Sequence, residues 1–287
     1  ADMTIDNATQ IEFWNGETGR NWVTHDALME AMLQPLGESV MDALAPQPGE
    51  HVLDIGCGCG HTSLSLAQRV GAAGSVTGID ISAPMLTVAS HLAAEQRVES
   101  ASIRFVEADA QTHAFEPERY DAVFSRFGVM FFEDPVAAFA NIWSALRSSG
   151  RLAFCCWQPR AVNPFMTVPA MAALELLPAP PEMPPRTPGP FAFEEADYVT
   201  DVLTSAGFGS VAVTPLKQPL TFGRGLSLTD IVERLVQIGP IAQMVREAPE
   251  DLQQPVRDKV ADAVAPFYSE DAGMTLDGQF WQVTARR

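Results

Sequence analysis

The 287-residue chain is long enough to bury a large core and fits one ordinary domain with additions. Its 36 acids against 18 bases give a formal charge of -18, and Lys217 and Lys259 are its only lysines, so the concentrated basic surface that a phosphate backbone requires is missing and nucleic acid is excluded as a partner. No apolar run reaches the roughly 18 residues that a spanning helix needs, and no signal-peptide pattern opens the chain, so a cytoplasmic protein without a membrane partner is expected.

The first element is aromatic: "FWNGETGRNW" carries Trp14 and Trp22. After it, "THDALMEAMLQPLGESVMDALAP" has apolar residues at helical spacing and ends in a proline-rich turn, which predicts one or two helices packed on the edge of a sheet. "HVLDI" then reads as a strand, and "GCGCG" as a tight turn opening the helical pattern "HTSLSLAQRV". Strand, glycine loop and helix N-terminus make a ligand cradle. Gly56, Gly58 and Gly60 let the backbone approach a ligand and tolerate positive φ, while the free N–H groups of the first turn suit an anion or carboxylate.

From His51 to Trp157 the alternation continues, with strands "SVTGID", "SIRFVEA", "YDAVFSRF" and "RLAFCCW" and helices "APMLTVASHLAAEQ" and "PVAAFANIWSAL". Apolar strands alternating with helices specify a doubly wound parallel sheet, whose ligands bind at the carboxyl ends of the strands. Two carboxylates stand at such ends. Asp80 closes the second strand, where it can accept from both ribose hydroxyls, and Asp109 follows the third, where it or its neighbouring backbone can meet an adenine amine. Together they describe a nucleoside-shaped slot.

Past Trp157, "LPAPPEMPPRTPGPFAF" is too rich in proline for regular structure and reads as an ordered loop or lid connection. "FEEADYVTDVLTSAGF" is a helix with an acidic start, "SVAVTPL" a strand, Leu226 to Phe267 a helical insertion, and "MTLDGQFWQVTARR" a closing strand expected to pair antiparallel with "SVAVTPL". The four cysteines form two tight pairs, Cys57 with Cys59 and Cys155 with Cys156. Four thiolates on zinc would require a different spacing, so no metal is expected. The first pair reads as small loop residues and the second as neighbours facing opposite sides of a sheet.

These motifs resemble the class I S-adenosylmethionine-dependent methyltransferases, and in particular the branch of the ubiquinone and menaquinone biosynthesis methyltransferases. "LDIGCGCG" matches that family's first motif, Asp80 in "GIDIS" its ribose acid, "EADA" its adenine motif, and "YDAVFSRFGVMFF" its fourth strand. The resemblance implies an α/β fold: a doubly wound, mostly parallel seven-stranded Rossmann-like sheet with an antiparallel last strand and a helical cover. It further implies that Gly56, Cys57, Gly58 and Gly60 pass the methionine part of the cofactor, with Asp54 supporting the loop or the ammonium group. Asp80 would hold the ribose, Ile81 and Met85 would pack near the adenine, and Asp109 with Ala110 would meet its edge. Ser125, Arg126 and Phe127 would line the strand end beside the sulfonium, and Trp14 and Trp22 would lie over the pocket. Plainer readings compete: Asp80 as a turn former, and Met85 as helix core.

The nicotinamide alternative requires Gly-x-Gly-x-x-Gly, and the third glycine comes one residue too soon. A hydroxyl or amine acceptor could need a base, for which His25 and His113 are candidates, the first against a solvated or capping role and the second against one in supporting its loop. Arg126, at a strand end expected to be buried, needs a carboxylate partner, from a ligand or from a structural ion pair. "SRFG" replaces the Asn/Asp-Pro-Pro-Tyr/Phe motif of base-amine methylating enzymes.

The expected organisation is an N-terminal cap (1–50), a cofactor core (51–157), a proline-rich loop or lid (158–193), a core helix and strand (194–225), a helical substrate cover (226–268) and a last core strand (269–287). The expected function is metal-independent methyl transfer from S-adenosylmethionine to a small, moderately apolar molecule, releasing S-adenosylhomocysteine. The alternatives are a protein that binds the cofactor without methyl transfer, or an NAD-dependent dehydrogenase.

Overall fold

A computed structural model describes residues 7–96 and 101–287. Three helices precede the sheet: α1 (Ala8–Asn15), α2 (Glu17–Thr24) and α3 (Asp26–Leu44). The alternating core follows as β1 (His51–Ile55), α4 (His61–Val70), β2 (Ser75–Asp80), α5 (Ala83–Glu95), β3 (Ser102–Glu107), β4 (Tyr120–Arg126), α6 (Pro135–Ala145) and β5 (Leu146–Trp157). Then come α7 (Pro164–Leu174), α8 (Ala196–Ser205), β6 (Gly209–Lys217) and β7 (Leu220–Phe222). The insertion is α9 (Leu228–Ile238), α10 (Ala242–Glu247) and α11 (Glu250–Val264), and the chain closes with β8 (Tyr268–Ser269), β9 (Gly273–Leu276) and β10 (Gln279–Arg286).

Seven strands form the main sheet in the order β3-β2-β1-β4-β5-β10-β6. β1 pairs in parallel with both β2 and β4, whereas β10 runs antiparallel to β5 and β6. The sequence reading of this architecture therefore holds, including its one reversed strand. Val52, Leu53, Val123, Phe124, Ala153 and Phe154 are fully buried, as strands covered on both faces require. Strand order reverses direction between β1 and β4, and such a switch point opens a crevice at the carboxyl ends of the strands.

Three expectations need correction. The stretch after the aromatic segment forms one helix, α3, as one of the two expected possibilities, but it runs through Pro35 and packs on the central strands β4 and β5 and on β7, not on an edge of the main sheet. Its buried stripe of Met29, Met32, Leu33, Leu36, Val40 and Leu44 is broad enough to cover the middle of a sheet. The segment 158–193 is not all loop, because α7 forms inside it. Pro164 stands in its first turn, where a missing N–H costs no helical bond, and Phe165, Ala172 and Ala173 bury the helix against α11. Finally, "MTLDGQFWQVTARR" is two strands. Asp277 and Gly278 break it, so β9 leaves the main sheet for a three-stranded one in the order β7-β9-β8, and the stretches 194–225 and 269–287 each contribute to it.

Cys57, Cys59, Cys155 and Cys156 are all buried and free. Burial pushes the Cys155 thiol up to about 12 and the other three thiols also upward, so they pack as neutral small groups. Among the described residues no helix is long and apolar enough to cross a membrane, and no group of three or more His, Cys, Asp or Glu side chains stands at metal-binding distance.

Candidate functional site

The crevice at the strand ends is a cavity of about 540 Å³, within the range of small-molecule sites. Its near wall is the glycine loop. Gly56 and Cys57 donate their N–H groups to Ile79 O at 2.8 and 3.2 Å, which folds the loop over the end of β2. Gly56 has φ 67°, and a Cβ there would meet Gly128 Cα at 2.6 Å, so both backbone conformation and space demand glycine.

Asp54 lies beneath this loop, fully buried and off the cavity wall. Its Oδ2 accepts from the hydroxyls of Thr62 and Ser63, both at 2.7 Å, which ties β1 to the first turn of α4. Oδ1 has no partner. Burial pushes its carboxyl from the ordinary 3.8 up to about 6, against the pull of the two hydroxyls and of Arg126. Of its two expected roles the geometry supplies the loop support. Gly60 is also off the wall, packed on Ala89 and Phe105. Ser125 is fully buried too, its hydroxyl donating to Ile55 O at 2.7 Å and accepting from Gly128 N at 3.0 Å.

Asp80 opens on the cavity. Its Oδ2 accepts from Gly58 N at 2.8 Å and its Oδ1 from Ser82 N at 2.9 Å, while desolvation raises its pKa. Each oxygen keeps further acceptor capacity. Cys57, Gly58, Ile81, Met85, Asp109 and Ala110 share this wall. Asp109 Oδ1 accepts from Gln111 N at 2.9 Å, an Asx-type turn that holds the end of β3.

Trp14 and Trp22 face the same space, their rings edge to face at 5.9 Å. α1 is seated by polar contacts: Asn15 Nδ2 donates to Ile81 O, Ala83 N donates to Asn15 Oδ1, and Ser82 Oγ donates to Trp14 O, all within 2.7 to 2.9 Å. Arg126 finds its carboxylate in Glu30 of α3, at 2.6 Å with side chains only 14% and 18% exposed, and both residues line the cavity. Beside them His61 Nε2 meets Asp26 Oδ2 at 2.7 Å. This bond is the largest reason that the His61 pKa lies above its ordinary 6.5.

His25 and His113 are off the wall. His25 Nε2 bonds Gln237 Oε1 at 2.7 Å on the outer side of the cavity, and His113 donates its backbone N–H to Asp109 O and packs on Phe115. His61 is the imidazole that lines the cavity. Sequence reading passed over it, although it directly follows the glycine loop. Asp26 and Glu30 gave no such signal, because two acids four apart on a helix look like a solvated face.

The far wall is aromatic. Phe127 has φ 62°, a left-handed conformation that costs a non-glycine residue about 1–2 kcal/mol. It stacks on Trp157 at 5.3 Å and 12°, and Trp157 lies 6.4 Å from Phe191. Phe165 and Met166 of α7 continue the wall, and the α9–α10 junction from Gln237 to Gln243 completes it.

A glycine loop, a strand-end acid and a second strand-end acid stand around one crevice of a doubly wound domain. Residues 52–150 match the family model described as "Methyltransferase domain". The chain is 37% identical over 131 residues to aklanonic acid methyltransferase DauC of Streptomyces sp. (strain C5), covering 46% of this chain and 59% of that protein. It is 30% identical to the ubiquinone/menaquinone biosynthesis C-methyltransferase UbiE of Rhizobium leguminosarum bv. trifolii, covering 45% and 51%. The chain spans about half the length of the curated relatives it matches. Phosphoethanolamine N-methyltransferase 2 of Haemonchus contortus, solved with phosphomonomethylethanolamine and S-adenosylhomocysteine, shares the fold with TM-score 0.58 at 15% identity, over 96% of this chain and 60% of that one.

Proposed function

We propose that the protein transfers a methyl group from S-adenosylmethionine to a small, moderately apolar molecule, without a metal, and releases S-adenosylhomocysteine. One observation carries this reading: a single cavity has the glycine loop and Asp80 on one wall and an apolar aromatic surface on the other. The residues fit the cofactor. Asp80 holds spare acceptor capacity for ribose hydroxyls, Asp109 and Ala110 line the cavity where an adenine edge would lie, and the backbone from Gly56 to Gly58 is bare. The paired charges Arg126 with Glu30 and His61 with Asp26 suit the α-ammonium and α-carboxylate of an amino-acid end.

The bound cofactor supplies an electrophilic methyl on a sulfonium. The chain's own task is to align the acceptor and exclude water. Phe127, Trp157 and the α9–α10 junction do both, and this gives the late helical insertion its role as a substrate cover. The relatives' names, each a methyltransferase of a small molecule, support the same class.

Calorimetry and mass spectrometry test the reading together. S-adenosylhomocysteine should bind and NAD should not, and pooled acceptors should gain one methyl with cofactor turnover. Binding without turnover across a broad pool would favour a cofactor-binding protein of another activity.

A further inference from the structure

The charges on the cavity wall are segregated. Asp26, Glu30, Asp80 and Asp109 all stand on the side of the glycine loop. The opposite side, built from Phe127, Trp157, Phe165, Met166 and Phe191, carries one charged group, Arg160. Its guanidinium lies over the Phe191 ring, 4.8 Å from the centroid. Among the described residues no carboxylate comes within 4.0 Å of it. The other two arginines of the wall are paired, Arg126 with Glu30 and Arg246 with Glu17. The position of Arg160 on the cavity wall, with no carboxylate among the described residues to neutralise it, leaves its guanidinium free to pair with an anionic group of a ligand.

The aromatic rings connect this arginine to the strand end. Phe127 stacks on Trp157, Trp157 borders Phe191, and Phe191 carries Arg160. The Trp157 and Phe191 rings are tilted 49° to one another, so a rigid flat molecule stacks on one and meets the other at an angle, gaining contact area at little entropic cost. From this we infer that the acceptor is a flat aromatic anion: its rings lie against Trp157 and Phe191, its carboxylate or equally acidic group pairs with Arg160, and the atom to be methylated stands at the other end, beside Phe127. The inference rests on the proposed cofactor site, since Phe127 marks the reacting end only if the glycine loop holds the sulfonium.

Calorimetry on the whole protein saturated with S-adenosylhomocysteine tests it, with two probes: a hydroxynaphthoate bearing hydroxyl and carboxylate on opposite rings, and the uncharged hydroxynaphthamide of the same shape. The naphthoate should bind about tenfold tighter or better, equivalent to ~1.4 kcal/mol. Arg160→Gln should abolish that preference while leaving the affinities for the amide and for S-adenosylhomocysteine in place, and Arg160→Lys should keep part of it. Arg160 is exposed, so the fold should tolerate both changes. Equal binding of the two probes, a preference that survives Arg160→Gln, or no binding of either probe to a protein that does bind S-adenosylhomocysteine would overturn the inference. Failure of S-adenosylhomocysteine itself to bind would instead strike the cofactor reading, and the inference with it.

Discussion

Asp80 accepts the Gly58 amide at 2.8 Å, so the carboxylate that ends β2 also sets the height of the glycine loop above it. Removing it should therefore loosen the cofactor site. Asp80→Ala should weaken S-adenosylhomocysteine binding by about 1.5–3 kcal/mol per hydrogen bond lost to the charged group. Asp80→Asn, which keeps an acceptor for Gly58, should recover part of that loss. Titration calorimetry on both folded variants checks this, and unchanged affinity in the alanine variant would falsify the ribose role.

Asp54 should make stability depend on pH. Its folded pKa of about 6 exceeds the ordinary 3.8, so the native state holds the proton more tightly than the unfolded chain does. The stabilisation is full below about pH 3.8 and is lost as pH rises through about 6. Relative to Asp54→Asn, the wild type should lose about 3 kcal/mol across that window. Denaturant unfolding of the pair at several pH values reads the difference, and parallel curves would contradict it.

His61 titrates in the opposite charge sense with the same direction of shift. Asp26 raises its pKa, so the extra stability is complete below pH 6.5 and disappears as pH climbs through the higher folded value. Asp26→Asn should bring the imidazole resonance titration down and remove this dependence. A His61 midpoint that stays in place in the variant would mean that the Asp26 contact is not formed in solution.

Glu30 and Arg126 should show strong coupling. Either single change, Glu30→Gln or Arg126→Met, leaves a nearly buried charge without its partner and should cost about 3 kcal/mol of stability. The double variant should cost clearly less than the sum. Additive losses in a double-mutant cycle would show that the pair contributes little.

Leu235 and Ile238 lie one turn apart on α9 and should behave differently. Leu235 is fully buried and off the cavity wall, whereas Ile238 lines it. Leu235→Ala should lower stability by about 2–5 kcal/mol with little effect on ligands. Ile238→Ala should raise the KM for the acceptor and spare S-adenosylhomocysteine binding. Thermal melts beside steady-state kinetics separate the two, and identical phenotypes would deny the α9–α10 junction a part in acceptor binding.

The half of the site around Gly56, Asp80 and Asp109 was legible in the chain because strand order in a parallel doubly wound sheet brings consecutive strand ends together. Residues that follow apolar runs must then share one edge, whatever the details of packing. Trp157, Arg160, Phe165 and Phe191 were illegible for the converse reason. Arg160 and Phe191 stand on connections, and Trp157 at the end of β5 and Phe165 on α7 reach the cavity through the packing of their elements against β10 and α11, which no local periodicity records. Pro164 and Pro169 disguised α7 as loop, although one stands in a first turn, where proline is harmless. The break at Asp277 and Gly278 was readable in principle as a turn dipeptide, but the β-forming residues on both sides outweighed it.

Polar contacts bridge α2 and its C-terminal end to the α9–α10 segment beside the cavity. His25 bonds the Gln237 side chain, Asn21 Nδ2 donates to Gln237 O at 3.2 Å, and Arg246 stands 3.4 Å from Glu17. Contacts of this kind, bathed in solvent, hold with well under the strength of a packed apolar seam, each contributing about 1 kcal/mol or less. The threshold of the chamber is thus far softer than its floor. Traffic of small molecules can proceed by parting a few wet bonds, leaving the buried sheet undisturbed, and it should quicken as added salt screens Arg246 from Glu17.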